Sequence, residues 1–168
     1  DCNENLLLTR KPDGTIAYRA VNTVDPNGVN GQAVYDGTPG TDRVFGGNDN
    51  DTFWGGKGND VIEGNSGDDV VLAGEGNDVV TDLDGIDILL GGPGQDALDG
   101  GPGLDNLLGG DGSDVINGGA GGNLSFGGDG TDFINAGTGT DLAQGDGGDD
   151  WIQGGAGADG LTGDYGAP

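Results

Sequence analysis

Histidine and methionine are absent from this 168-residue sequence, and cysteine occurs once, at Cys2. Without histidine the chain lacks the usual general base, the usual partner of a nucleophile and the commonest transition-metal ligand. A lone cysteine excludes an intrachain disulfide, so Cys2 is a free thiol or half of a bridge to another chain. Bases number five against 30 acids, a net charge of −25. Such a chain repels nucleic acid and anionic membranes. It has no apolar run of the ~20 residues that a membrane-spanning helix needs, and no signal peptide is visible. Starting at Asp1 and lacking Met, it reads as a processed piece of a longer precursor. Hydrophobic residues make up only 32% and aromatics 5%, too little for a conventional globular core.

What is present is glycine, 42 residues of it, and a strict period. Counting in steps of nine from residue 42 meets Asp42, Asp51, Asp60, Asp69, Asp78, Asp87, Asp96, Asp105 and Asp114, then Asn123, then Asp132, Asp141, Asp150 and Asp159. A solvated acidic tail does not space its acids in this way. With this Asp as the sixth residue, fourteen repeats run from Gly37 to Thr162. The first position is Gly except at Ala73, Asp82 and Ala136, and the fourth is Gly except at Asp49. The eighth is apolar except at Ser125 and, marginally, Ala143. The clearest copy is GGKGNDVIE, Gly55 to Glu63.

Glycines at the first, second and fourth positions open backbone angles denied to most residues. Such a segment curls so that its carbonyls converge, and the Asp that ends it adds a charged oxygen. Carbonyl and carboxylate oxygens without His or Cys are the ligand set of a hard cation, and calcium accepts six to eight of them in flexible geometry. A metal-free turn role for the Asp column does not account for fourteen copies or for so much uncompensated charge. The last three residues of each repeat form a short strand. Its middle residue, the eighth, points inward: Val44, Phe53, Ile62, Val71, Val80, Leu89, Leu98, Leu107, Ile116, Ile134, Ile152 and Leu161.

The pattern GGxGxDxUx resembles the nonapeptide of the RTX (hemolysin-type) calcium-binding repeats, and the resemblance covers residues 37–162. It implies an all-β fold, a right-handed parallel β-roll (solenoid) with two short strands per 18-residue coil and about seven coils. It also implies that repeats n and n+2 share a calcium ion on one edge, with Asp42, Asp51, Asp60, Asp69, Asp78, Asp87, Asp96, Asp105, Asp114, Asp132, Asp141, Asp150 and Asp159 as ligands. The ninth position speaks for the double coil on its own account. Even repeats carry Trp54, Leu72, Leu90, Leu108 and Phe126, whereas odd repeats carry Glu63, Thr81, Asp99, Asn117, Asn135 and Gln153 after an initial Phe45. Seven loops per edge leave six gaps on each edge, hence up to about twelve ions. Residues 37–168 hold 25 acids and two bases, Arg43 and Lys57, a net of −23 that about twelve calcium ions would neutralise.

Several departures carry expectations. Asn123 lacks the charge, so the sites it shares with Asp105 and Asp141 should be weak or empty. Ser125 and Ala143 thin the core, and the flanking Leu124 and Phe126 point to a bulge or register change. Repeat six reads DLDGIDILL, with Asp82 and Leu83 where two glycines belong, so its loop backbone should differ. Residues 1–36 read as an N-terminal cap containing a β-hairpin, Asn5–Thr9 and Thr15–Ala20 around a Lys11-Pro12-Asp13-Gly14 turn. Residues 163–168 are a partial repeat or tail. The stripe Trp54, Leu72, Leu90, Leu108 and Phe126, flanked by Val70, Ile88, Leu124 and Leu142, should face outward and contact a second copy or a parent-protein domain.

No residue set here supports covalent chemistry, so the chain reads as no enzyme. The leading reading is a secreted, extracellular or cell-surface calcium-binding β-roll of an exported bacterial protein. The resemblance implies that it folds on meeting external calcium. Family members exported with an uncleaved C-terminal signal carry it after the repeats, and here only six residues follow the last repeat. The alternative is a structural or adhesive surface protein that assembles through its apolar face or open end. Ice binding needs an outward Thr ladder, and Thr41, Thr131 and Thr140 are too scattered to form one.

Overall fold

The computed structural model describes residues 6–10, 16–20, 34–82 and 84–164. Among these, no helix occurs. The strands Leu6–Arg10 and Ile16–Ala20 pair antiparallel. The turn expected at 11–14 lies outside the described residues, as does Cys2. From Val34 onward the long ladders are parallel, and each strand pairs with one 18 residues away. The chain therefore climbs as a β-solenoid of about seven turns, each turn adding one strand to each of two sheets.

The two sheets are unlike. The eight-stranded sheet takes positions seven to nine of the even repeats and runs on through the first three positions of the next repeat, as in Val70–Glu75. The seven-stranded sheet takes only positions seven to nine of the odd repeats, as in Val79–Thr81. Alternation along a strand sends the eighth residue inward and the seventh and ninth outward. The core is accordingly one large side chain deep per strand. Phe53, Ile62, Val71, Val80, Leu89, Leu98, Leu107, Ile116 and Ile134 are all at most 2% exposed.

The inward file begins before the first counted repeat. Val34–Asp36 pairs with Thr52–Lys57, and Tyr35 stacks on Phe53 with ring centroids 4.6 Å apart. Tyr35 stands nine residues before Val44, at an eighth position whose repeat has Ala33 in place of Asp. At the other end, burial of the inward file fails. Ile152 is only partly buried and Leu161 is 47% exposed, because no further described coil covers them.

The bulge expected beside Ser125 is not formed. Leu124, Ser125 and Phe126 pair with Asn106, Leu107 and Leu108 on one side and with Leu142, Ala143 and Gln144 on the other, so the 18-residue offset is unbroken. Small inward residues narrow the core there without changing the register. Repeat six also keeps its place, because Asp82 N–H donates to the Asp99 carbonyl and Asp84 N–H to the Asn65 carbonyl.

Close stacking of the turns fixes the glycines. Gly112 has φ +144°, and a Cβ there would stand 1.4 Å from the Gly94 carbonyl oxygen in the coil below. Gly40 has no positive φ, and its Cβ would meet nothing nearer than 4.0 Å. Gly112→Ala should cost about 2–4 kcal/mol through backbone strain and overpacking, whereas Gly40→Ala should stay within about 0.5 kcal/mol. Thermal melts at saturating calcium compare the two, and equal melting temperatures would refute the stacking argument.

Candidate metal sites

The nonapeptide Asp residues form two columns, one on each edge of the solenoid. Those from Asp51 to Asp141, with Asn123 among them, are at most 3% exposed, and Asp42 is 7% exposed. Asp150 and Asp159 are half-buried. One oxygen of each carboxylate is spent on the backbone. Asp60 Oδ1 accepts the Asp42 N–H at 2.7 Å, Asp87 Oδ1 the Asp69 N–H at 2.7 Å, and Asp114 Oδ1 the Asp96 N–H at 2.8 Å. The same bond spans every gap of both columns, up to the Asp141 N–H and Asp159 Oδ1. Residues expected to share an ion are thus brought together, coil against coil.

The second oxygen is the chemically informative one. Oδ2 of Asp60, Asp69, Asp78, Asp87, Asp96, Asp105, Asp114, Asp132 and Asp141 is buried and has no hydrogen-bond partner. The first two repeats differ. Asp42 Oδ2 accepts from the Thr38 N–H at 2.6 Å and from its hydroxyl at 2.9 Å, and Asp51 Oδ2 accepts from the Gly47 N–H at 2.9 Å. Elsewhere, where the first residue of the repeat is glycine, Oδ2 sits hard against it. A Cβ on Gly109 would stand 2.4 Å from Asp114 Oδ2 and 2.6 Å from the Gly127 carbonyl oxygen, and Gly127 is placed alike against Asp132 and Gly145. At Gly109 and Gly127 a Cβ finds no room in this convergence of carboxylate and carbonyl oxygens, whereas the buried Ala73 and Ala136 hold a Cβ at the same position of their repeats.

Burial of an ionised carboxylate is costly, and the titration behaviour reflects it. Burial pushes the carboxyls of Asp60, Asp96, Asp105 and Asp132 up to about 6, with like charge from neighbouring coils adding to the rise. Asp69, Asp78, Asp87 and Asp114 are raised for the same first reason. The two basic side chains beside the columns do not relieve this charge. Arg43 pairs with Glu63 at 3.1 Å and Lys57 with Glu75 at 2.5 Å, all on the surface. Buried, oxygen-only and anionic, the corners fit a hard divalent cation.

Asn123 shows what fills such a corner without charge. Its Oδ1 accepts the Asp105 N–H at 2.9 Å and its own N–H donates to Asp141 Oδ1 at 2.8 Å, as an Asp would. Its Nδ2, in the place of Oδ2, donates to the Gly118 carbonyl at 2.9 Å. The amide therefore satisfies by itself a corner where a carboxylate would leave two acceptors facing each other.

One acid in the edge was not expected as a ligand. Asp82, at the first position of repeat six, is 3% exposed, and its carboxylate lies with those of Asp69 and Asp87, one oxygen of each within 4.8 Å of the others. The signal was present in the sequence, an acid in a column otherwise of glycine and alanine.

Comparison with known families finds one match. The family model for the RTX calcium-binding nonapeptide repeat matches four times, over residues 36–71, 72–107, 99–134 and 135–167. No curated protein matches the chain.

The Asn123 corner yields a test. Asn123→Asp exchanges the self-satisfied amide for a carboxylate between Asp105 and Asp141. Equilibrium dialysis at saturating calcium should then find one to two more ions per chain, one for each gap the residue bridges. An unchanged count would mean that the amide corner already holds metal as its neighbours do.

Proposed function

The chain belongs to the RTX calcium-binding nonapeptide repeat family, and we propose that it is a non-catalytic β-roll module of an exported bacterial protein, folding when external calcium loads its two edges. The observation that carries this reading is the row of buried Oδ2 atoms without hydrogen-bond partners. Each belongs to a carboxylate, and nearest carboxylates repeat from coil to coil along each edge. Like charges in that arrangement disfavour the compact state unless a cation stands among them. The column residues Asp42, Asp51, Asp60, Asp69, Asp78, Asp87, Asp96, Asp105, Asp114, Asp132, Asp141, Asp150 and Asp159 are the proposed ligands, with convergent glycine carbonyls completing the oxygen set. One ion per gap gives about twelve, fewer where Asn123 stands.

Calcium-dependent folding suits a chain that stays open where calcium is scarce and closes where it is plentiful. Extracellular modules bind calcium at roughly 0.1–1 mM, and because the loops converge only in the folded state, binding free energy is folding free energy. Residues 1–36 serve on this reading as the cap of one end. In support, the strand Ile16–Ala20 lies beside Val34–Asp36 and Arg43–Phe45. A second reading, assembly as a structural or adhesive element, is favoured by the outer face of the eight-stranded sheet. Trp54 is 48% exposed, and Leu72 and Leu108 stand in the same row with Leu90 and Phe126 half-buried between and after them.

Circular dichroism tests the first reading. With chelator at pH ~7.5 the strand signal should be lost, and millimolar calcium should restore it. The raised carboxyls set the pH dependence of the metal-free chain. A folded value near 6 above an unfolded value of 3.8 stabilises the roll fully below 3.8 and loses that contribution as pH rises through about 6. Strand signal in chelator should therefore be greater at pH ~4.5 than at pH ~7.5. A strand signal indifferent to calcium at neutral pH would sink the reading. Light scattering in calcium tests the second: wild type should form assemblies that Leu90→Lys with Leu108→Lys abolishes, and a monomer in both removes assembly through this face.

A further inference from the structure

The calcium sites expected of this repeat use one Asp from each of two stacked loops. One corner of this chain departs from that scheme. Repeat six places Asp82 at its first position, where eleven of the fourteen repeats have Gly and two have Ala. Its side chain turns into the edge and is 3% exposed. There it joins Asp69 from repeat four and Asp87 from its own repeat, with one oxygen of each carboxylate within 4.8 Å of the others.

Two further observations point to a ligand among them. Asp69 and Asp87 are both 0% exposed, and each has an Oδ2 without a hydrogen-bond partner. The oxygens also converge on one small spot. A Cβ on Gly64 would stand 2.3 Å from Asp82 Oδ2 and 2.5 Å from Asp69 Oδ2. The bases Arg43 and Lys57 are engaged with Glu63 and Glu75 on the surface and offer this corner no counter-charge. Three buried carboxylates without a cation among them are strongly unfavourable.

We propose that Asp69, Asp82 and Asp87 form a distinct high-affinity site for one hard cation, the tightest on the roll and the first to fill. The inference rests on the calcium reading of the repeats and adds to it a ranking among sites. Calcium takes six to eight oxygens, and its affinity rises with the number of carboxylates among them. Here a third carboxylate replaces a position that elsewhere carries none. The set contains neither nitrogen nor sulfur, which disfavours the softer transition metals. Because Asp82 and Asp87 both belong to repeat six and Asp69 to repeat four, the site also ties these two stacked loops together.

The test is a calcium titration of the whole chain in competition with a chelating dye, on wild type, Asp82→Gly and Asp82→Asn. Asp82→Gly restores the residue most repeats have at this place, and Asp82→Asn keeps the shape while removing the charge. Wild type should bind one ion at a free calcium at least about tenfold below the midpoint of the rest. Both variants should lose that early phase yet match wild type in strand signal by circular dichroism at saturating calcium. Titrations of the variants that overlay that of wild type overturn the ranking while leaving the calcium reading intact. A chain that binds no calcium even at millimolar levels overturns both.

Discussion

A carboxylate accepting a backbone N–H from the coil beside it, repeated every nine residues, is the interaction on which this solenoid turns. The bond from the Asp42 N–H to Asp60 Oδ1, and each of its successors, adds a side-chain tie between loops beside the backbone bond from the next coil, as from the Val61 N–H to the Asp42 carbonyl. Committing Oδ1 to the backbone forces Oδ2 into the interior of the edge. At Gly109 and Gly127 the position of Oδ2 in turn leaves no room for a Cβ at the first residue of the repeat. Close stacking of the coils and a buried acidic edge thus meet in one repeated hydrogen bond.

The interior explains why so costly a device is tolerated. Alternation along the strands leaves one large inward side chain per strand, the second inward position of the six-residue strands holding only glycine or Ala73, and the file from Tyr35 to Ile134 has no second layer behind it. Apolar burial of that size is small against the ordering cost of a chain so rich in glycine. On the calcium reading proposed above, cation binding at the edges supplies the free energy that the core does not. The balance shifts locally at Asn123. The core is thinnest there, with Ser125 and Ala143 paired across adjacent strands, and there too the corner closes with an amide-to-carbonyl bond that needs no ion.

Much of this was legible in the sequence because period and role coincide. The eighth position is apolar and proves to be the core, and the alternation of the ninth between Leu72, Leu90, Leu108 and Thr81, Asp99, Asn117 marks two sheets with different outer faces. What escaped notice lay where a marker was missing or misplaced. Tyr35 belongs to the inward file, but its repeat has no Asp to announce it. Leu161 has the right position, yet no coil among the described residues covers it. The expected bulge at Ser125 overvalued a polar residue, for the backbone bonds from the Leu124 N–H to the Asp105 carbonyl and from the Leu142 N–H to the Asn123 carbonyl hold the register there. Asp82 reads in one dimension as a defect in a glycine column, and only the stacking of loops 18 residues apart sets it between Asp69 and Asp87.

Both irregular corners, at Asp82 and at Asn123, fall on the edge formed by the even repeats. The odd edge is regular by comparison, with Asp60, Asp78, Asp96, Asp114 and Asp132 following one another without substitution. In a solenoid each coil touches only its neighbours, so stability is close to a sum of coil terms and nearest-neighbour terms. A gap weakened on one edge therefore does not sever the coils, because the opposite edge of the same coils still carries its bond: the Asp114 N–H reaches Asp132 Oδ1 alongside the Asn123 corner. The uniform edge keeps the coils coupled, and that continuity leaves the other edge free to vary, from three clustered carboxylates around Asp82 to a neutral amide at Asn123 between Asp105 and Asp141.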